Sequence, residues 1–154
     1  MSEPSAVVDE RLHQLIQKWC DDKATLKDVR GYTDEELYAI ARTAYVYFYQ
    51  GRVEDARVLF QGLSAVNPVD PYFARALGVV ELAAGNADAA IAAWDVAITL
   101  APNEPSAWVG RAEVRICSGD KANAAEDLRR ARLVAPGSHP LRPKIAALLR
   151  AVMR

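Results

Sequence analysis

Few residues in this chain have the types and spacing that covalent chemistry needs. The only two histidines, His13 and His139, stand in terminal segments, and neither has a Ser, Cys or carboxylate pattern around it. A nucleophile with its base, or a general acid–base pair, requires such a constellation. Cys20 and Cys117 are far apart and lack metal-ligand spacing, so a reduced protein with two free thiols is expected. Asp21-Asp22 and Glu35-Glu36 read as solvated helix ends. No glycine-rich phosphate loop is present. Neither catalysis, nor a metal, nor another cofactor is expected.

Recognition chemistry is better represented. Tyr38, Tyr45, Tyr47, Phe48 and Tyr49 fall within 12 residues. Rings give large contact area at low entropic cost, and a tyrosine keeps a hydroxyl for a peptide backbone. Two readings stand: the rings only pack the N-terminal cap, or they furnish apolar pockets for an extended or helical peptide.

The elements that must carry these rings follow from an internal repeat. Gly51, Gly85 and Gly119 are 34 apart, as are Ala56, Ala90 and Ala124, and Pro68, Pro102 and Pro136. Phe60, Trp94 and Leu128 form a bulky column, and Leu63, Ala97 and Ala131 another. The glycine suits the left-handed end of a helix. The alanine lets two helices approach, and the bulky residue four positions later lies on the same face. The proline stops the second helix. The spacing predicts helix pairs at about 34–50 and 53–66, 71–84 and 87–100, and 105–117 and 121–134. Thr33 with Glu36 reads as a capping box.

This pattern resembles the tetratricopeptide repeat, with Leu77-Gly78 at the Leu-Gly position of the middle unit. The fold expected is all-α: three such repeats as a right-handed solenoid of helical hairpins, with a capping helix at each end. The repeats span 33–69, 70–103 and 104–136, after an N-terminal arm and helix (1–32) and before a C-terminal capping helix (137–154). About three units plus caps are what a helical repeat needs to bury its apolar faces. By the resemblance, the first helix of each pair lines the concave side. The residues expected to hold a peptide there are Tyr38, Ala41, Tyr45, Phe48 and Tyr49, then Tyr72, Arg75, Val79 and Leu82, then Val109, Glu113 and Ile116.

The two ends differ. Leu12, Leu15, Ile16 and Trp19 make an apolar stripe at helical spacing, which either packs on the first repeat or pairs with a second copy. Residues 138–153, with Leu141, Ile145, Leu148, Leu149 and Val152 at helical spacing, are expected to form a helix that covers the last pair. The formal net charge is −1. It divides into 12 Lys/Arg against 20 Asp/Glu in residues 1–127 and seven basic residues with no acid in 128–154. The basic end is either a solvated complement to helix C-termini or a docking surface for an acidic partner or the acidic half of a second copy. Overall acidity argues against general nucleic-acid binding. The start lacks a secretory pattern, and no apolar run reaches membrane-spanning length, so neither export nor membrane insertion is expected.

Thr25-Leu26-Lys27-Asp28-Val29-Arg30-Gly31 followed by Leu37-Tyr38-Ala39-Ile40-Ala41 is similar to the segment leading into the first repeat of class II type III secretion chaperones. Gly51-Arg52-Val53-Glu54-Asp55-Ala56, Phe60-Gln61 and Leu63 match the same family, as do Asp70, Phe73, Glu104-Pro105 and Ala112-Glu113. The resemblance covers about residues 10–135. It implies a bacterial cytoplasmic chaperone that holds a hydrophobic translocator protein through an extended segment in the concave groove, and that is a homodimer through Leu12, Leu15, Ile16 and Trp19 when client is absent. Tyr45 and Phe48 fall on the family's aromatic pocket positions. Ala41, Ala74, Arg75 and Val114 depart from it, so the pockets differ in shape. A general tetratricopeptide adaptor in another assembly is the competing reading.

Overall fold

The computed structural model describes residue 10, residue 14 and residues 25–154. A short α1 (Leu26–Arg30) precedes three hairpins: α2 (Asp34–Tyr49) with α3 (Val53–Val66), α4 (Pro71–Ala83) with α5 (Ala87–Leu100), and α6 (Pro105–Cys117) with α7 (Lys121–Val134). A final helix, α8 (Arg142–Val152), follows. The expected hairpin boundaries agree with these to within a residue. The stripe Leu12, Leu15, Ile16 and Trp19 lies outside the described residues.

Local chemistry fixes each helix end. Thr33 Oγ1 accepts the Glu36 amide at 3.2 Å while the Thr33 amide donates to the Glu36 carboxylate at 2.8 Å, a reciprocal cap. Asp70 and Glu104 cap α4 and α6, each followed by a proline at the first helical position, where no amide is needed. Gly51, Gly85 and Gly119 end the first helix of each pair at φ of 80°, 82° and 81°. That conformation is costly for any residue with a Cβ. The C-terminal helix begins at Arg142, four residues later than its apolar pattern suggests. Residues 136–141 instead form turns: the His139 amide donates to the Pro136 carbonyl, and His139 Nδ1 accepts the Leu141 amide at 3.2 Å. Pro140 disfavours helical backbone at His139.

The core is a chain of three linked clusters. Phe60 packs with Ala44, Ala56 and Ala76; Trp94 with Ala90, Ala97 and Ala107; Leu128 with Ala112, Ala124 and Ala131. Alanine on both sides of each large residue brings the helices close, as the columns predict. Two carboxylates, each 2% exposed, lie within this stack. Glu81 accepts from Gln61 Nε2 at 2.9 Å and Asn86 Nδ2 at 2.8 Å. Asp127 receives a two-point contact from Arg111 at 3.0 and 2.6 Å and a third bond from Arg115 at 2.6 Å. Arg111 also reaches Asp95 at 2.6 Å, so one guanidinium ties α5, α6 and α7. Charges taken from water need such complete pairing.

From α2 onward consecutive helices pack in chain order, α1 lies against α3, and α4 also meets α6 directly. The first helices of repeats one and two touch through rings: Tyr38 and Tyr72 lie edge to face with centroids 5.3 Å apart. No comparable packing joins α3 to α5 or α5 to α7. The stack therefore closes up on the side of α2, α4 and α6, and that side is its inner face.

Candidate functional site

The inner face begins with a continuous set of rings. Tyr38 meets Tyr72 and Phe73; Tyr45 meets Phe60, Tyr72 and Tyr49; Phe48 meets Tyr49. All pairs except Tyr45–Tyr49 and Tyr38–Phe73 are edge to face, the arrangement favoured by ring quadrupoles. The rings differ in depth. Tyr38, Tyr45, Phe48 and Tyr72 are half-buried. Tyr49 is 81% exposed, although large rings usually avoid water. Tyr47, from the same stretch, is covered by the Arg52 guanidinium 3.9 Å from its ring centre and belongs to the packing between helices.

Two hydroxyls are tuned by this setting. Tyr38 donates to Asp70 Oδ2 at 2.6 Å, and that bond, with burial, pushes its pKa up to about 12. Burial, then the neighbouring Tyr72, pushes Tyr45 up to about 12. Both phenols therefore stay neutral donors far above neutral pH. Asp70 is a positioning residue here. Its other oxygen accepts the Tyr72 amide at 2.9 Å, so a single carboxylate caps α4 and fixes Tyr38. The Asp-Pro pair at 70–71 signals the cap, but nothing in the sequence signals a tyrosine 32 positions earlier.

Beyond the rings, Val79 is 38% exposed on α4, and Leu82 is half-buried against the second cluster. Arg75 lies between repeats, 3.4 Å from both Glu104 Oε2 and Ser106 Oγ. Two of the residues expected to line the groove are interior: Ala41 is 1% and Val109 3% exposed. Ala41 joins the first cluster, and Val109 packs with Ile145 and Leu149 of α8 in the third. The third repeat's remaining candidates are likewise engaged by α8. Ile116 packs on that same cluster, and Glu113 accepts an ion pair from Lys144 at 2.6 Å. α8 thus takes the place that the first helix of a fourth repeat would occupy. Of the residues proposed from sequence, the structure brings together Tyr38, Tyr45, Phe48, Tyr49 and Tyr72. It leaves Val79 and Leu82 beside them on α4 and turns the third-repeat set toward α8.

The setting suits recognition of a polypeptide: apolar walls, neutral tyrosine hydroxyls and a guanidinium, Arg75, held beside Glu104. Among the described residues no three His, Cys, Asp or Glu side chains gather as metal ligands, and no helix is long and apolar enough to cross a membrane.

Residues 41–105 match the family model for the tetratricopeptide repeat. The low calcium response locus protein H of Yersinia pseudotuberculosis is 30% identical over 132 residues, 84% of this chain and 77% of that protein. The Yersinia enterocolitica type III secretion translocator chaperone SycD superposes with a TM-score of 0.78 at 23% identity, over 83% of this chain and 98% of its own. SycD has also been solved as an alternative dimer and with a peptide of the translocator YopD. PcrH of Pseudomonas aeruginosa, in complex with the chaperone binding region of PopD, superposes at 0.75 with 24% identity, over 80% of this chain and 95% of its own.

Proposed function

Because the chain belongs to the family of class II type III secretion translocator chaperones, we propose that it holds a hydrophobic translocator protein by an extended segment laid along the inner face of α2 and α4. The observation that carries this reading is the ring set that ends in the exposed Tyr49 beside half-buried Tyr45, Phe48 and Tyr72. An apolar anchor of the client would displace water from that surface, and tyrosine hydroxyl oxygens would accept from its backbone amides, the Tyr38 proton itself being held by Asp70. The complexes of SycD with a YopD peptide and of PcrH with a PopD region support the same use of this fold. The activity is holding, without covalent chemistry, in the bacterial cytoplasm before export. A homodimer forms when no client is bound, with Leu12, Leu15, Ile16 and Trp19 as its contact.

The third repeat plays a smaller part than the first two. α8 engages Val109, Glu113 and Ile116, so the client's anchors concentrate on repeats one and two. The test is a double change, Tyr49→Ala with Val79→Asp, at two exposed positions. Co-expressed with the translocator of the same secretion system, the parent chain should keep it soluble and copurify with it. The variant should keep its helicity and melting temperature yet lose the translocator to the pellet. Undiminished copurification with the variant would remove the inner face as the client's seat.

A further inference from the structure

Seven basic residues crowd the last 27 positions without one acid, and three of them have evident structural work. Arg142 donates to the carbonyls of Arg132 and Ala135, closing the C-terminal end of α7. Lys144 pairs with Glu113. Arg130 lies 6.0 Å from the centre of the Trp108 ring. The remaining four, Arg129, Arg132, Arg150 and Arg154, all line one cleft between α7 and α8, of about 600 Å³, whose other walls are Ala146, Leu149 and Met153. Arg129 has only a 3.4 Å surface contact with Glu126, an arrangement of little energetic weight. Arg132, Arg150 and Arg154 have no acid in ion-pair reach among the described residues. Complementing helix C-termini accounts for only part of this set: Arg132 and Arg150 stand in the last turns of α7 and α8, but that role does not require four guanidinium groups to share one cleft.

We propose that this cleft docks an acidic peptide segment of a partner protein, one that places an apolar side chain between its carboxylates. Guanidinium groups match carboxylates with two parallel bonds, and the apolar walls take the side chain between them. Met153, one of those walls, is 71% exposed, so the apolar surface of the cleft is open to a partner. The narrow footprint decides between anionic partners. Residues 1–127 carry an excess of eight acids, so a nucleic-acid duplex or an anionic bilayer, both broader than the cleft, would face a chain that is net negative outside its last 27 residues. A peptide confined to the cleft avoids that charge. This surface is separate from the inner face of α2 and α4 and does not depend on how the client is held.

The probe is a short fluorescein-labelled peptide of alternating Glu and Leu with blocked ends, followed by anisotropy on the full-length protein. Saturable binding should weaken as salt rises, and the Arg132→Glu/Arg150→Glu variant should bind about tenfold more weakly with unchanged circular dichroism. Arg129→Gln/Arg154→Gln, a milder pair, should weaken it about threefold. An all-Glu peptide should bind the parent chain less well than the Glu/Leu peptide, and the Val79→Asp variant should bind it normally. Equal affinity for parent and charge-reversed chains, or equal binding of the all-Glu peptide, would overturn the proposal. So would tighter binding of duplex DNA or anionic vesicles that the same arginine changes abolish.

Discussion

Each repeat is held by one large side chain, and its neighbours are sized to it. Phe60 is met by Ala44 of its own repeat and Ala76 of the next. Trp94 occupies the same column with a larger ring, and the two corresponding positions are Gly78 and Gly110. A Cβ on Gly78 would sit 2.6 Å from Trp94 Cε2, and one on Gly110 would come closer still to the same ring. These glycines exist for close approach, unlike Gly62 in α3, where a Cβ meets nothing within 4 Å. Gly110→Ala should cost about 1–3 kcal/mol by overpacking, while Gly62→Ala should add about 0.5–1 kcal/mol through helix propensity. Urea denaturation measures both. The decisive variant is Gly110→Ala with Trp94→Phe, which restores one side of the volume match of the first repeat and should recover part of the loss. No recovery would mean that the glycine is needed for its backbone rather than for the ring.

At the scale of the element, the bond from Tyr38 to Asp70 ties α2 to the start of α4, and it carries a pH dependence. A phenol titrates near 10 in an unfolded chain. Tyr38, through Asp70, and Tyr45, through burial, are each raised to about 12 in the fold. The folded state thus favours the neutral phenol. The stabilisation is whole below pH 10 and is lost as pH rises through 12. Between those limits the urea midpoint of the parent chain should fall more steeply than that of a Tyr38→Phe/Tyr45→Phe variant, which has no proton to lose there. Parallel curves would show that the two hydroxyls do not couple to folding. This tie also marks where sequence reading stops. The 34-residue columns of Gly, Ala and Pro set helix ends almost to the residue, because capping and helix stopping are local. The partners of Asp70, Glu81 and Asp127 lie in other helices, and no periodicity announces them. Repeat position alone puts Ala41 and Val109 in the groove lining. A methyl at the contact between helices and a valine under α8 are interior for reasons that only the assembled stack supplies. The late start of α8 has a local cause, Pro140 and the turn at His139, which its apolar spacing masks.

On the scale of the whole molecule, stacking of neighbours makes stability a matter of position along the chain. α8 packs on α7, and the cluster it completes with Val109, Leu128, Ile145 and Leu149 contains no residue of the first repeat. The first repeat's cluster reaches only as far as Val80 of α4. Damage at the C-terminal end should therefore travel toward the start and weaken as it goes. Ile145→Ala removes a side chain 1% exposed and should cost about 2–4 kcal/mol locally. In native-state hydrogen exchange, the amides of α6, α7 and α8 should lose most of their protection while those of α2 and α3 keep theirs. The proposed client surface on α2 and α4 would then survive a change that opens the basic cleft between α7 and α8, separating the two surfaces in one variant. Equal loss of protection in α2 and α8 would show that the three hairpins open as one unit, and that neither surface can be disturbed without the other.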